Sequence, residues 1–418
     1  MIQITDKEKC SGCTACYSIC PKNAISMAED EEGFLYPKVD ESKCIKCGLC
    51  TKVCPVLNVK YKELTEYPDA YLCYEEDTNS RINSAAGGAF YSIAKSFLKQ
   101  EKSIVVGATY DENFNVEHII VNNLNDLSKL QKSKYVQSNL KDVFKQVQEL
   151  LKQDYKVLFS GTGCQVAGIN SFIQEKYKSN LYCIDLVCYG VPSPMIFKKY
   201  LNYQENKYGK IEKVIIRDKK IYKSSFRVGY GMLFENGYKY FEPHGIDPMA
   251  RLFYGYYCLR PICYNCPFKT IKRNSDLTLG DCWYPEYFIK GFKDKYGITM
   301  VLSHSLKGSE LLSNCESLIT TKVDTEKVVK INGGKLFNSA PKPNDRTAFF
   351  EDVKNNKDIN ELANKYTPIK KDSIGYKIKF LLRDNNLIPK KLDEKMRSKN
   401  ISKRLKMEIP DSAKREIK

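Results

Sequence analysis

This sequence has few histidines, no long apolar run and no apolar segment at its start. Only three of its 418 residues are histidines, so zinc sites of mixed Cys/His type are poorly supplied with ligands. No apolar run reaches the roughly 18 residues that a transmembrane helix needs. The first ten residues, MIQITDKEKC, lack the apolar core of a signal peptide. We therefore expect a cytoplasmic protein.

Acidic residues are in the minority, 50 against 67 basic ones, which gives a net charge of +17. The excess is concentrated in residues 370–418, which contain 16 Lys/Arg and 7 Asp/Glu. Such a tail can bind an acidic partner or touch the inner membrane face peripherally, although a solvated, partly helical tail is the simpler interpretation. No nucleic-acid-binding motif accompanies the charge, so we expect no nucleic acid partner.

Cysteine, in contrast, is abundant, with 17 residues. In a reducing cytosol, closely spaced cysteines more often hold metal or perform redox chemistry than form disulfides. Because thiolate is the main ligand available, iron–sulfur clusters or Cys-only zinc sites are favoured.

The cysteine run from Cys10 to Cys20 recurs from Cys44 to Cys54, each time as C-x2-C-x2-C-x3-C followed by proline. In bacterial ferredoxins with this spacing, the first three cysteines bind one 4Fe–4S cluster and the fourth binds the other. Structural zinc is the alternative, but zinc favours CxxC pairs at longer separation. The predicted ligand sets are Cys10, Cys13, Cys16 and Cys54 for one cluster, and Cys44, Cys47, Cys50 and Cys20 for the other.

Two glycine-containing turns lie between a predicted strand and a predicted helix. The first runs from Ser84 to Gly88 and includes Gly87. The second is Gly161-Thr162-Gly163. Backbone N–H groups at such a helix start can hold a pyrophosphate. Each turn alone is equally typical of an ordinary tight turn.

A set of segments resembles the beta-subunit family of deazaflavin (coenzyme F420) hydrogenases and dehydrogenases. KVLFSGTGCQVAGI resembles the family's Gly-Thr-Pro-Cys-Gln segment, with Gly163 in place of the usual proline. Five further segments resemble family stretches in the same order across residues 70–310, and a two-cluster ferredoxin at the N-terminus is a common arrangement there. These segments are INSAAGGAFYSIAK, VVGATYDENFNVEHIIV, SKYVQSNL, IDLVCYGVPSP and RPICYNCPFKTIKRNSDLTLGDCW.

The resemblance implies a flavin, usually FAD, beside a third 4Fe–4S cluster. Lys134, Tyr135 and Gln137 match a family stretch and would supply charge and stacking to the flavin, although an exposed amphipathic segment would look similar. The full set of predicted flavin-binding residues is Ser84, Gly87, Gly88, Lys134, Tyr135, Gln137, Gly161, Thr162 and Gln165.

For the ligands of the third cluster, local spacing and the family pattern disagree. Local spacing favours Cys258, Cys263, Cys266 and Cys282, since C-x4-C-x2-C is a plant-type ferredoxin spacing. We follow the resemblance, and keep structural zinc as the alternative for these positions. Cys73, Cys183 and Cys315 have no suitably spaced neighbours and are expected to be buried small hydrophobes. The ligands that the resemblance implies are Cys164, Cys188, Cys263 and Cys266.

Alternating short strands and helices after residue 70 predict α/β layers. The predicted fold class is thus α+β / α/β: a bacterial-type ferredoxin module, a mixed α/β flavin-binding domain and a basic helical tail. We expect four regions, namely 1–60 (the two-cluster ferredoxin domain), 70–150 and 151–340 (the N- and C-terminal parts of the beta-subunit region) and 341–418 (the tail).

The function expected from these features is that of an iron–sulfur flavoprotein oxidoreductase. Electrons would pass between the clusters, the flavin and a two-electron carrier, either a deazaflavin or an undefined small molecule that could belong to polysaccharide biosynthesis. The expected protein partner is a redox protein such as a ferredoxin. The alternative is a non-catalytic relay subunit whose basic tail docks to an acidic redox partner or a membrane surface. No residue stands out as catalytic.

Overall fold

A computed structural model describes residues 1–222, 229–292, 294–332, 334–369 and 390–417. Its strands are β1 (Ile25–Glu29), β2 (Leu35–Val39), β3 (Tyr61–Glu63), β4 (Asp69–Glu75), β5 (Ser103–Tyr110), β6 (Val116–Val121), β7 (Lys156–Thr162), β8 (Leu181–Leu186), β9 (Ile211–Ile216), β10 (Gly229–Phe234), β11 (Lys239–Pro243), β12 (Leu277–Asp281), β13 (Thr299–Ser303), β14 (Leu318–Val323) and β15 (Arg415–Ile417). Its α-helices are α1 (Ala15–Ser18), α2 (Leu49–Lys52), α3 (Thr78–Ile82), α4 (Ala89–Phe97), α5 (Leu124–Leu127), α6 (Val143–Lys152), α7 (Gly163–Phe172), α8 (Pro194–Tyr208), α9 (Lys219–Tyr222), α10 (Pro248–Tyr254), α11 (Leu306–Ser313), α12 (Thr325–Ile331), α13 (Arg346–Lys354), α14 (Ile359–Tyr366) and α15 (Lys390–Leu405).

The two cysteine runs are joined by the antiparallel hairpin of β1 and β2. The Asp30 carboxylate fixes its turn by accepting hydrogen bonds from the backbone N–H groups of Glu32 (3.0 Å) and Phe34 (2.9 Å). Phe34 is completely buried. The hairpin is therefore held at both its turn and its apolar face.

The main domain is built on an eight-stranded mixed sheet in the order β14-β4-β13-β12-β8-β7-β5-β6. Its central strands β12, β8, β7 and β5 are parallel, and the flanking strands pair antiparallel. Parallel pairs need crossover connections, which the intervening helices supply. The mixed α/β fold is confirmed. The sheet draws strands from both sides of residue 150, so the predicted regions 70–150 and 151–340 form one packed unit.

A smaller sheet, β11-β10-β9, packs with helices that come from the predicted tail. Phe349 of α13 and Leu362 of α14 are completely buried in this second core. Arg251 of α10 fixes the end of α14 by donating hydrogen bonds to the carbonyls of Ala363 (2.6 Å) and Thr367 (2.8 Å). The packed domain therefore extends to about residue 367, because apolar side chains in α13 and α14 outweigh the surrounding charge.

The C-terminal residues that the structure describes also lie against the main domain. Arg397 of α15 forms an ion pair with Glu286 (2.6 Å), and β15 pairs antiparallel with β3. Residues 370–389 of the predicted basic tail lie outside the described residues. Within the described ranges, no helix is long and apolar enough to cross a membrane.

Candidate metal centres and cofactor site

The eight cysteines of the two runs gather around two separate cavities. We call the first set the inner site and the second the outer site. Each site takes three cysteines from one run and the last cysteine of the other, which is the crossed arrangement that the spacing predicts. The inner site consists of Cys10, Cys13, Cys16 and Cys54, and the outer site consists of Cys20, Cys44, Cys47 and Cys50.

The inner site lies against the main domain. Gly168 of α7 approaches it so closely that a Cβ atom at this position would stand 2.8 Å from Cys13 Cβ. The four inner cysteines are buried among apolar residues of both parts of the chain. Burial raises the pKa of the Cys13 thiol to about 12, and the pKa of the Cys16 thiol is raised further. These thiols fit a role as cluster ligands, since bound iron would keep them deprotonated.

The outer site faces away from the main domain. Cys47 is exposed, and the apolar side chains of Ile45 and Leu49 beside it are 57% and 38% exposed. Two lysines line this opening, Lys22 and Lys46, and both are exposed. Backbone N–H groups still reach two outer sulfurs, from Ile2 to Cys50 and from Ala24 to Cys20, each at 3.3 Å.

A third group of cysteines comes together in the main domain from distant parts of the chain. Cys164 lies in the first turn of α7, Cys188 follows β8, and Cys263 and Cys266 lie in and after the 3-10 helix Pro261–Asn265. Burial, followed by the nearby Cys266, Cys188 and Cys263 thiols, raises the pKa of Cys164 well above its usual range. We call these four residues the third site.

Cys258 and Cys282, which local spacing favours, are completely buried in two other apolar clusters. The packing therefore supports the ligand set that the resemblance implies. Cys73, Cys183 and Cys315 are buried, as expected of small apolar residues. In the part of the chain that the structure describes, no group of three or more Cys, His, Asp or Glu residues is arranged to hold a single metal ion.

Two of the predicted flavin-binding residues meet at Gln131. The Gln131 side-chain amide donates to Ser84 Oγ (3.2 Å), and its backbone carbonyl accepts from Lys134 Nζ (2.7 Å). Burial lowers the pKa of Lys134 to about 7. Among the described residues, no carboxylate forms an ion pair with it. In the turn before α4, the Ala86 carbonyl accepts a hydrogen bond from Lys219 Nζ, which also donates to the Arg81 carbonyl (2.6 Å).

The glycines of the first turn have a packing role that the sequence did not show. A Cβ atom at Gly87 would stand 2.4 Å from the carbonyl oxygen of Cys73 and 2.6 Å from the Thr299 nitrogen. Gly88 has φ of 88° and precedes α4. These glycines therefore let the start of α4 pack directly on the central sheet.

The other predicted flavin residues lie nearer the cysteine sites. Tyr135 stacks on Phe253 with ring centroids 5.3 Å apart. Gln137 donates to the Ser11 carbonyl of the inner-site loop (3.0 Å). In the second turn, beside Gly161, the Gln165 side chain accepts from Thr162 N (2.9 Å) and donates to Ser138 Oγ (2.9 Å). Sequence reasoning missed Gln131 and Lys219, because an isolated basic or amide residue becomes notable only when the fold buries it.

The mixed α/β domain and the two crossed cysteine runs together define a ferredoxin-type iron–sulfur electron-transfer protein. Comparison of sequences makes the assignment specific. Residues 154–328 match the family described as the C terminus of the coenzyme F420 hydrogenase/dehydrogenase beta subunit, and residues 9–58 match the 4Fe-4S dicluster domain. The resemblance inferred from the sequence is confirmed over residues 154–328 and for the N-terminal cluster domain.

Two individual proteins show partial similarity. An uncharacterized ferredoxin of Methanocaldococcus jannaschii is 48% identical over 33 residues, which are 8% of this chain and 43% of the length of that ferredoxin. The F420-reducing [NiFe] hydrogenase complex from Methanosarcina barkeri aligns with a TM-score of 0.44 and 15% identity, over 62% of this chain and 83% of the matched one.

Proposed function

We propose that this protein is an iron–sulfur flavoprotein oxidoreductase that passes electrons between two ferredoxin-type 4Fe–4S clusters, a third 4Fe–4S cluster, FAD and a two-electron carrier or substrate. The observation that carries the proposal is the contact between Cys13 of the inner site and Gly168 of α7. Cys164 of the third site is four residues before Gly168 on the same helix face, about 6 Å along the axis. The two cysteine sites are thus neighbours across one helical turn.

The donor sets fit the proposed clusters. Each of the three sites offers four thiols and no histidine, and thiolate is the ligand that iron–sulfur clusters take. The inner site is buried between the other two, whereas the outer site opens to solvent. We infer that the outer cluster exchanges electrons with a redox protein, and that the inner cluster connects it to the main domain.

The region around Lys134 is the proposed binding site for the FAD diphosphate. Lys134 is a half-buried cation without a carboxylate partner among the described residues. A diphosphate would supply a negative charge beside it and accept a hydrogen bond from its ammonium group. FAD, when bound, supplies exchange between two-electron carriers and single-electron clusters.

The redox partner proposed for the outer site is an acidic electron carrier. Exposed Ile45 and Leu49 would form the centre of the contact, and the surrounding lysines would attract the acidic surface. The two-electron partner is proposed to be a deazaflavin or another small molecule. The described part of the basic tail is packed against the main domain, so it offers no support for docking through that helix.

Iron analysis and an absorption spectrum of anaerobically purified protein test the proposal. We expect about twelve iron atoms per chain and flavin peaks above a broad cluster absorption. Twelve iron atoms without flavin would favour the relay role instead. Colourless protein that contains zinc in place of iron would overturn both interpretations.

A further inference from the structure

Arg260 is a completely buried arginine at the junction between the inner site and the third site. Its Nε donates to the Cys10 carbonyl (2.7 Å) and its Nη2 donates to the Leu35 carbonyl (2.9 Å). Nη1 donates to Gln137 Oε1 (3.0 Å). Nη2 also stands 3.6 Å from Cys10 Sγ. The guanidinium is therefore directed at the backbone and the sulfur of an inner-site cysteine.

Among the described residues, no carboxylate forms a hydrogen bond or ion pair with the Arg260 guanidinium. Its polar contacts among the described residues are carbonyl oxygens, an amide oxygen and a cysteine sulfur. Two other buried arginines are paired with acids, Arg346 with Glu32 at 2.6 Å and Arg273 with Asp185 at 3.0 Å. The Arg260 guanidinium instead lies 4.2 Å from the centroid of the Tyr36 ring and beside the Cys10 sulfur, where an anionic cluster in the inner site would neutralise its charge.

Arg260 also links the inner site to the third site. Its backbone carbonyl accepts a hydrogen bond from the N–H of Cys263 (2.9 Å), and its side chain reaches Cys10. Arg260 thus contacts Cys263 of the third site through its backbone and Cys10 of the inner site through its side chain. The inner-site loop leaves room for it at Gly12, where a Cβ atom would stand 2.8 Å from Nη1.

We propose that Arg260 is a positioning residue and the counter-ion of the inner 4Fe–4S cluster, which it makes easier to reduce than the outer cluster. This inference rests on the proposed function. If one electron moved from the outer cluster to the inner one, the outer cluster would be oxidised and the inner cluster reduced, and no proton would be needed. The reduced inner cluster carries one more negative charge, and a fixed buried cation stabilises that state.

The test is an anaerobic redox titration of the cluster signals by electron paramagnetic resonance, with Cys47→Ala used to assign the outer-site signal. In Arg260→Gln, we expect the inner-cluster midpoint potential to move to a more negative value while the outer-cluster potential stays unchanged. Arg260→Lys retains the charge and is expected to recover most of the shift. An inner-cluster potential that is unchanged in Arg260→Gln would overturn the inference.

Arg346→Gln is the matched control, because Arg346 also joins the ferredoxin module to the main domain but is neutralised by Glu32. We expect no shift of the inner potential in this variant. An equal shift in both variants would mean that Arg260 only holds the module in place, and would overturn the counter-ion role.

A second variant tests the inference if Arg260→Gln does not fold or does not incorporate its clusters. Gln137→Glu places a carboxylate at the position that now accepts from Arg260 Nη1, so it neutralises the cation without removing it. The inner potential is expected to move in the same negative direction, and an unchanged value would overturn the inference. Wild-type protein without cluster signals would instead overturn the proposed function, which makes the two failures distinguishable.

Discussion

The inner and outer sites have nearly the same cysteine spacing but opposite surroundings. The inner cysteines are buried under α7 and Arg260, whereas the outer site opens to solvent beside Ile45 and Leu49. Spacing sets which thiols can share a cluster, because it is a property of one short loop. Which site is buried and which is exposed depends on what packs outside the loop.

Residues at equivalent positions in the two cysteine runs show how the surroundings differ. Gly12 of the inner run corresponds to Lys46 of the outer run, and both have positive φ, 68° and 53°. A side chain at Gly12 would meet Arg260, whereas Lys46 is exposed to solvent. Thr14 and Gly48, the positions that precede α1 and α2, likewise share positive φ, 62° and 76°. The loop geometry is therefore common to both runs, and the neighbouring domain selects the residue.

The largest effect should come from removing one cysteine of each site. We expect Cys13→Ala and Cys47→Ala each to lower the iron content from about twelve to about eight atoms per chain. Cys13→Ala should also destabilise the contact with α7, since the inner site is buried there. Iron analysis with limited proteolysis between the module and the main domain measures both. Equal proteolysis of the two variants would contradict the buried position of the inner site.

An exchange at the equivalent loop positions should have a smaller effect. Gly12→Lys introduces a side chain and a second cation against Arg260, so it should cost about 3 kcal/mol of stability. Lys46→Gly should change stability by less than about 1 kcal/mol. Anaerobic thermal unfolding followed by circular dichroism compares them. Similar losses of stability in both variants would show that the loop itself, and not the main domain, determines which residue this position accepts.

Changes at the outer face should affect electron transfer without affecting iron content. We expect Ile45→Glu combined with Leu49→Glu to slow reduction by an acidic ferredoxin about tenfold at low salt. Leu306→Glu is the control, because Leu306 is 84% exposed but lies in α11 of the main domain. Stopped-flow kinetics at several salt concentrations measures the rates. An equal effect of Leu306→Glu would contradict docking at the outer site.

The smallest effect concerns Lys134, in the proposed flavin region. Burial disfavours its ammonium form and lowers its pKa from 10.5 to about 7, so half of its amine should be reactive near pH 7. Exposed Lys322, whose pKa Asp69 raises, should stay unreactive at that pH. Amine labelling with mass spectrometry across pH values measures this in flavin-free protein. FAD should suppress the labelling, and labelling unaffected by FAD would argue against the proposed diphosphate contact.

Sequence reasoning reached furthest where the signal is local. The mixed α/β character predicted for the main domain agrees with the structure. Local spacing alone favours Cys258 and Cys282 for the third site, and both are buried elsewhere. The charge pattern predicts a tail from residue 341, although α13 and α14 contribute to the second core. The many charged residues in α13 and α14 made this part of the sequence resemble a solvated tail, although its few apolar side chains are buried.

The sequence by itself determined the kind of chemistry: thiol ligands in two crossed loops, since covalent spacing limits which sulfurs can share a cluster. Only the tertiary structure decided which site is inner, which cysteines form the third group and where the unpaired cation lies. Those features depend on contacts between remote residues, such as Arg260 and Cys10, which are 250 positions apart. No local pattern encodes such a contact, because burial of each partner depends on how the whole chain packs.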